Sequence, residues 1–506
     1  MFISAVDSTI VNVALPDISR DLNARLGGLQ WVIDGFLVSV GGMLLVGSGL
    51  ADRFGRRRVF LGGFIGFGAT SVVAALSQTT GELIVARLMM GAAAACVLPP
   101  ALSLVAVMFP PDERPRALAV WTTVAGLGFA LGPVLGGLLV PSIGWQAVFL
   151  VNVPVAIVAV PLGMRVLPES HRPGTPPLDL VGVGLSIVAL ASIVFALIDG
   201  VHAGWTDPAV LTVALVGLVA GASFVRVELR RPEPLFDVSL LGRPAVAAGT
   251  VVILAVYIGF LGLLFLLPQY LHYVRDQSTL DSGLSLAPLG IGTLITAPFT
   301  ARVVARFGAR ATLAGGLAAM SGSVALLLLL HRSTTVLLVL VSMALFGAMI
   351  PLTVTPATGV IMGDLAEEKA GDGGAINQLA RQVGGALGVA IIGSIFAAIY
   401  AHHIVSALVG FSHAAGERAT QSIAAAQKIV ASTGSPLHEN LLVRISHTFD
   451  VAARVGFAVT VALLLGAAVV ATVALDGRRD RAIDQVIGAI VEPGTTPIGE
   501  GQEVSA

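Results

Sequence analysis

Thirteen stretches of bilayer length, apolar and nearly free of charge, recur along this chain and dictate its solvent. They fall at about 31–51, 59–77, 83–108, 117–140, 145–164, 180–198 and 209–225, and again at 245–271, 284–301, 311–330, 335–361, 373–399 and 449–475. A spanning helix needs about 20 mostly apolar residues. In lipid every backbone group must be satisfied within the protein, so such stretches read as helices. Only 12% of the 506 residues are charged, half the share of a soluble domain, about 25%. The chain reads as an all-α integral membrane protein.

A shorter apolar stretch precedes the thirteen. Met1 to Pro16 offers too few residues to cross a bilayer unaided, and it reads as the C-terminal part of a first span whose beginning is encoded upstream. Fourteen spans put both termini on one side. Twenty arginines and lysines then face that side, including Arg53, Arg56, Arg57, Arg58, Arg243, Lys369 and Arg381, against seven opposite, among them Arg20, Arg25, Arg275 and Lys428. The richer face is expected to be cytoplasmic, in a cell (inner or plasma) membrane.

Several functions are excluded on composition. The formal net charge of −1 argues against nucleic acid as a partner, and neither of the two lysines, Lys369 and Lys428, follows a glycine-rich phosphate loop, so no nucleotide is expected. Cys96 is the single cysteine; no disulfide and no cysteine metal cluster follows. Five of nine histidines, His402, His403, His413, His438 and His447, lie before the last apolar stretch at irregular spacing, which fits a solvated external loop better than a metal site. No cofactor and no metal is expected.

The run Gly126-Leu-Gly-Phe-Ala-Leu-Gly-Pro-Val-Leu-Gly-Gly137 lies inside the stretch 117–140, the fifth span once the short first one is counted. Glycine costs roughly 1 kcal/mol against alanine in a helix and proline about 3. Membrane helices tolerate them where a neighbour approaches closely or the rod bends. Gly128, Gly132 and Gly136, four apart, make one smooth face for another helix, with Pro133 free to kink it and Gly137 beside it.

Polar, proline-bearing breaks at Pro168–Pro177 and Glu228–Pro244 divide the chain. They suggest a six-helix bundle over 1–167, a linker with two extra helices over 168–244, a second six-helix bundle over 245–476, and a cytoplasmic polar tail over 477–506. Asp52-Arg-Phe-Gly-Arg-Arg57 after the second span is echoed by Ala305-Arg-Phe-Gly-Ala-Arg310 after the tenth, as expected of repeated halves with a substrate site between them.

An ionisable side chain at the centre of a span costs about 2.5–3.5 kcal/mol on insertion scales, and so faces a cavity or a partner. In the first half Asp7, Asp34 and Arg87 qualify. Asp7, nearest the middle of its helix, is the expected proton carrier, with Arg87 tuning it; a static Asp7–Arg87 structural pair is the bland alternative. Asp34, close to its helix end, is a further proton-coupling candidate, for which a solvated interfacial carboxylate is the favoured alternative. Asp52 and the arginines Arg53, Arg56 and Arg57 around Gly55 form a turn able to latch the halves together on that face. Asn12, Asn152, Asn377 and Gln378 are cavity candidates or inter-helix crosslinks. Arg381 is a cavity candidate whose expected partner is Asp364 or Asp372.

The motifs resemble those of the major facilitator superfamily, in particular its 14-span drug:proton antiporter group. Asp7-Ser-Thr-Ile-Val-Asn-Val-Ala-Leu-Pro16 is similar to that group's first-helix motif, and Gly49-Leu-Ala-Asp-Arg-Phe-Gly-Arg-Arg57 resembles the superfamily loop motif. Arg87 with Gly91 matches the fourth-helix motif. The Gly126–Gly137 run resembles the fifth-helix antiporter motif, and Ala370–Gly388 the thirteenth-helix pattern. Ser48, Met90, Phe36, Ala305 and Asp34 depart from the group's usual residues.

The resemblance implies the major facilitator fold, two six-helix bundles plus two inserted helices. It implies that the loop motif acts as a conformational lock and that the fifth helix seals the antiporter against leak. The expected activity is export of a small amphipathic molecule in exchange for protons, with the proton gradient as energy source. The partners are then the small-molecule substrate, protons and the lipid bilayer, with no oligomer required. The acidic bias of the first half leans toward neutral or cationic substrates. A proton-coupled nutrient importer on the same fold, and a non-transporting sensor or scaffold, are the rival readings. No nucleophile–base or metal-ligand cluster supports an enzyme.

Overall fold

The structure is a computed structural model; it describes residues 2–110, 113–170, 179–231, 237–365, 369–407, 419–421, 423–431 and 438–475. Among the described residues there is helix and no strand. The expected tail at 477–506, most of the 168–177 loop and His413 lie outside them.

The first helix, α1 (Phe2–Asp21), does not stop at Pro16 as the apolar count implied. Its 20 residues extend about 30 Å at 1.5 Å per residue, because the turn beyond Pro16 is carried by buried Ile18 and Ser19. Five helices follow in the first half: α2 (Leu26–Phe54), α3 (Arg56–Ala75), α4 (Thr80–Ala95) continued by α5 (Leu98–Met108), and α6 (Arg114–Ile143). The sixth span is made of α7 (Ala147–Leu150) and α8 (Asn152–Val166), and α9 (Leu180–Ala203) and α10 (Pro208–Glu228) come next. The second half holds α11 (Pro244–Tyr273), α12 (Thr279–Thr296), α13 (Thr300–Leu327), α14 (Val336–Gly363) and α15 (Ala370–Ala407). A short α16 (Ile423–Ala431) precedes the last helix, α17 (His438–Ala474). Twelve stretches are long and apolar enough to cross a membrane, and one of them, Thr279–Leu327, is broken in two at Gly308. With α1 the spans number fourteen.

Local chemistry sets the helix starts. Thr79 accepts from the Glu82 amide while Glu82 accepts from the Gln78 amide, a reciprocal cap for α4. Asp179 and Asp207 cap α9 and α10 through two backbone amides each. The repeated Arg-Phe-Gly sequence breaks the helix at the same place in both halves: Gly55 takes φ +105° and Gly308 φ +79°, a region that a side chain disfavours. The echo in sequence is therefore an echo in backbone.

The glycine-rich fifth span, α6, divides its small residues between two neighbours. Gly128, Gly132 and Gly136 lie against α1, where a Cβ on Gly128 would meet Ala5 at 2.7 Å and one on Gly136 the Ile10 carbonyl at 3.1 Å. Pro133 and Gly137 face α12 of the other half, Gly137 against Leu280 and the Pro133 carbonyl against Gly283. The second contact between halves is α2 on α15. The inserted helices α9 and α10 pack on each other, and α9 also lies on α2 and α15.

At the end carrying Asn23 the halves are joined. Asp17 accepts from the Thr279 hydroxyl at 3.1 Å, and Gln30 donates to the Val389 carbonyl at 3.1 Å. Lys428 of α16 donates to the Arg20 carbonyl and to Asn23 Oδ1, both at 3.3 Å. Beneath it lies a cavity of about 210 Å³ lined by Arg20, His272, Tyr273 and α16. His402 and His403 lie on α15 and His438 and His447 on α17, so these four are helical rather than in a loop. Both helices outrun their apolar stretches.

Candidate proton-coupling site

Asp7 sits within the first half, completely buried. Arg87 on α4, 1% exposed, reaches it with Nη1 2.7 Å from Asp7 Oδ2. The same guanidinium donates Nε to the Val32 carbonyl at 2.9 Å and lies over the Phe36 ring at 4.4 Å, with Phe149 at 5.8 Å. Asn152, the first residue of α8, donates to Asp7 Oδ1 at 3.3 Å and to Ser71 Oγ on α3 at 3.1 Å. One carboxylate is thus met from α4 and α8, and through them from α2 and α3. Phe36 and Met90, two of the sequence's departures, both touch Arg87: Met90 Sδ is 3.9 Å from Nη1. An aromatic face and a thioether supply the cation's remaining contacts.

Asp34 is not the solvated interfacial carboxylate that its sequence position implied. It is wholly buried, and neither carboxylate oxygen has a hydrogen-bond partner. Its position in α2 explains this. Gln30, Leu37 and Gly41 meet α15 at Val389, Gly385 and Gln382, and Asp34 is one turn from Gln30 and three residues from Leu37. It therefore faces the seam between halves rather than bulk solvent.

Among the described residues, the Asp52 turn makes no hydrogen bond or ion pair with the second half. Asp52 Oδ1 accepts from Arg56 Nη2 at 2.9 Å. Arg57 donates its amide to Glu169 and its Nη1 to the Leu167 carbonyl, both at 3.2 Å, while the Arg56 amide bonds the Ser170 carbonyl at 2.8 Å. Arg53 lies over Phe54 at 5.6 Å, and Gly55 leaves room for the Glu169 carboxylate. These partners belong to the first half and to the first residues of the linker after it, so in this conformation the motif ties the α2–α3 turn to the exit of α8. Glu169 was not singled out from sequence because nothing about a lone glutamate after a span marks its target.

The polar residues proposed for a cavity separate. Asn12 donates to the Ser8 carbonyl of its own helix at 2.9 Å, leaving Oδ1 buried and unpaired. Asn377 donates to Thr358 Oγ1 and accepts from Arg381 Nε at 2.8 Å. Gln378 is partly exposed beside them. Arg381 does not pair with Asp364 or Asp372: Asp364 is held by Arg243 at 3.5 Å, and Arg381 turns to Asn377 and to Tyr257 Oη at 3.2 Å. Helical direction decides this, since Arg381 lies eleven residues past Ala370 and points at α11.

A charged set in the second half also escaped the sequence reading. Asp450 accepts from Tyr270 Oη at 2.9 Å and pairs with Arg454 at 2.9 Å, while Arg454 donates to the Leu330 carbonyl at 2.8 Å. An opposite-charge pair four residues apart inside the last span was the readable signal. On the Asp52 side, Lys369 donates to Asp237 at 2.6 Å and holds that carboxyl below the usual carboxylate range. Among the described residues, no group of three His, Cys, Asp or Glu side chains is placed to hold a metal.

Two echoing halves of six membrane helices each, two helices inserted between them, and a buried ion pair inside the first half define a multi-pass transporter. The sequence profile of the Major Facilitator Superfamily matches residues 1–389, and the chain belongs to that family, whose members are transporters and not enzymes. The tetracenomycin C resistance and export protein of Streptomyces glaucescens is 34% identical over 394 residues, covering 78% of this chain and 73% of the relative. The multidrug efflux pump LfrA of Mycolicibacterium smegmatis is 30% identical over 471 residues, 93% of each chain. A crystal structure of a bacterial homologue of the human lysosomal transporter Spinster, inward-facing and unoccupied, superposes with a TM-score of 0.63 at 17% identity over 96% of this chain and 95% of that one. The xylose transporter XylE of E. coli, inward open, gives 0.55 at 13% identity, covering 78% and 87%. These two show the fold.

Proposed function

We propose that this protein exports small amphipathic compounds of the drug or antibiotic type in exchange for protons, by alternating access. The observation that carries the reading is Asp7, a carboxylate with no exposure whose charge is met by Arg87 from another helix. A proton delivered to Asp7 removes the charge that Arg87 compensates, while Arg87 keeps the Val32 carbonyl and the Phe36 face. The protonation state of one side chain thereby changes the bond between α1 and α4, and α1 is the helix packed on the glycine face of α6. A proton step on α1 so reaches a helix that also touches the second half.

The Asp52 end is taken as cytoplasmic on its positive charge, which makes the joined Asn23 end external and this conformation inward-facing. The names of the relatives, resistance and efflux proteins, support export over import. One charge crossing at 100 mV releases about 2.3 kcal/mol, and a tenfold gradient costs about 1.4 kcal/mol. One proton per cycle therefore sustains an export gradient somewhat above tenfold.

The saturation of Arg87 by Asp7, Val32 and Phe36 favours a second reading, a static brace inside the first half. The deciding experiment measures dye and antibiotic accumulation in cells expressing the protein, with and without a protonophore, for the native chain and for Asp7→Asn. Export that collapses with protonophore and with the substitution supports exchange. Equal accumulation with and without protonophore for every compound sinks it, and gradient-driven export surviving in Asp7→Asn leaves the brace.

A further inference from the structure

Arg381 is a cation inside a span that has no ion pair among the described residues. It lies eleven residues past Ala370 in α15, about 16 Å along the helix. Tyr257 lies thirteen past Pro244 in α11, about 20 Å along. Tyr257 lies near the middle of α11, and Arg381 beside it lies within the spanning part of α15. Arg381 donates Nε to Asn377 and Nη1 to Tyr257 Oη, and its guanidinium carbon is 5.5 Å from the Tyr257 ring centre. Both acceptors are neutral, and among the described residues no carboxylate lies within 4 Å of Arg381. The carboxylates of the first half offer no remedy: Asp7 is consumed by Arg87, and Asp34 is sealed in the seam at 0% exposure. Arg381 itself is partly exposed. A guanidinium at this depth faces water or a counter-charge that comes and goes.

An aromatic wall continues from it. Tyr257 meets Phe260 edge-on with ring centres 6.0 Å apart, Phe260 meets Phe129 at 5.5 Å, and Phe346 stacks on Phe260 at 6.4 Å. Phe129 belongs to α6 of the first half and the others to the second, so the wall spans the space between the halves, where this fold class binds its cargo.

We propose that Arg381 and Tyr257 form the polar end of the substrate site, and that the preferred cargo is a planar aromatic molecule bearing an acidic oxygen, a carboxylate or an ionised phenol or enol. This inference rests on the exporter reading and sharpens it. Arg381 contributes its unused Nη2 donors as a fork for the anion, and the Tyr257 hydroxyl, already accepting from Arg381, has its own proton to give to the same oxygen. The partly exposed Tyr257 and Phe129 rings flank the plane of the ligand, with the buried Phe260 and Phe346 packed behind them. The lean toward neutral or cationic cargo drawn from the first half is thereby reversed, because the acids there are neutralised or enclosed while the open charge is positive. Outward movement of an anion with inward movement of a proton transfers two charges in one direction per cycle, so export of such a molecule is steeply accelerated by an inside-negative potential.

The test uses the full-length protein and three probes of one shape: 2-naphthoate, 2-naphthamide and 2-naphthylmethylammonium. Binding is measured in detergent, and gradient-driven uptake into inside-out proteoliposomes is measured in parallel. The native protein is expected to prefer the acid. Arg381→Gln is expected to weaken acid binding about tenfold or more, the loss of one charged hydrogen bond, while changing the amide less than about twofold. Arg381→Lys keeps the charge without the fork and is expected to retain an intermediate preference, and Tyr257→Phe to lose only a few-fold in acid binding. These two variants carry the test should Arg381→Gln fail to fold by gel filtration. Equal loss for all three probes overturns the proposal, as does a native protein that binds none of them. Uptake of amide and ammonium with no preference for the acid sinks the anion site and leaves the exporter standing. Acid binding that survives without gradient-driven uptake of any probe does the reverse.

Discussion

Arg87 and Asp7 stand 80 positions apart in sequence and 2.7 Å apart in space, buried to 1% and 0% exposure, with Asn152 bonded to the carboxylate's other oxygen. Removing one member of a buried pair strands the other, at a cost of about 3–5 kcal/mol, whereas removing both is often neutral. Arg87→Met is therefore expected to lower the thermal stability of the purified protein sharply, and Asp7→Asn with Arg87→Met to recover most of it. If the pair only braces the fold, the double variant also regains gradient-driven transport. If Asp7 carries the proton, stability returns and coupling does not. Melting temperature and uptake in the same vesicles separate the outcomes.

Asp34 invites the opposite experiment. Both its oxygens are buried without partners, and an unpaired polar group in an apolar seam costs about 1–3 kcal/mol by mutational measures. Asp34→Leu is expected to raise the melting temperature, and Asp34→Asn to change it little. A drop of several degrees in Asp34→Leu would show that the carboxylate has a partner in solution. Loss of transport with stability gained would identify the residue as part of the working cycle.

The glycines of α6 separate fold from motion. Gly132 abuts Thr9 and Val6 within the first half, while Gly137 abuts Leu280 across the seam. Gly132→Leu is expected to reduce the amount of folded protein, since overpacking costs typically about 1–3 kcal/mol. Gly137→Leu is expected to leave folded protein in the membrane but to slow transport, because its contact is one that the halves must remake in each cycle. Expression level and initial efflux rate distinguish the two.

Asp17 and Thr279 bond across the joined end. With Cys96 replaced by alanine, cysteines at these two positions joined through disulfides by a short bis-methanethiosulfonate are expected to stop transport and to release it on reduction. Full transport with the crosslink in place would mean that this end need not open.

Much of the architecture was legible from hydropathy alone. The thirteen apolar stretches lie in the observed spans, and Gly55 and Gly308 could be matched from six residues of repeated sequence because a left-handed turn restricts the residue that makes it. The glycine face of α6 was likewise readable, as periodicity places 128, 132 and 136 together. Its division between α1 and α12 was not, since one helix cannot say which neighbour stands on which side.

The sequence by itself determined that this chain lives in lipid, that its helices come in two echoing halves, and that Asp7 and Arg87 needed partners, because transfer free energy and helical period are properties of local sequence. Tertiary structure decided which partners they took. It set Asn152 and Phe36 around the first pair, enclosed Asp34 in a seam instead of exposing it, confined Asp52 and Arg56 to one half, and aimed Arg381 at Tyr257 rather than at Asp364. Pairing depends on where distant helices cross and which way each side chain leaves its rod, and those are outcomes of the whole packing.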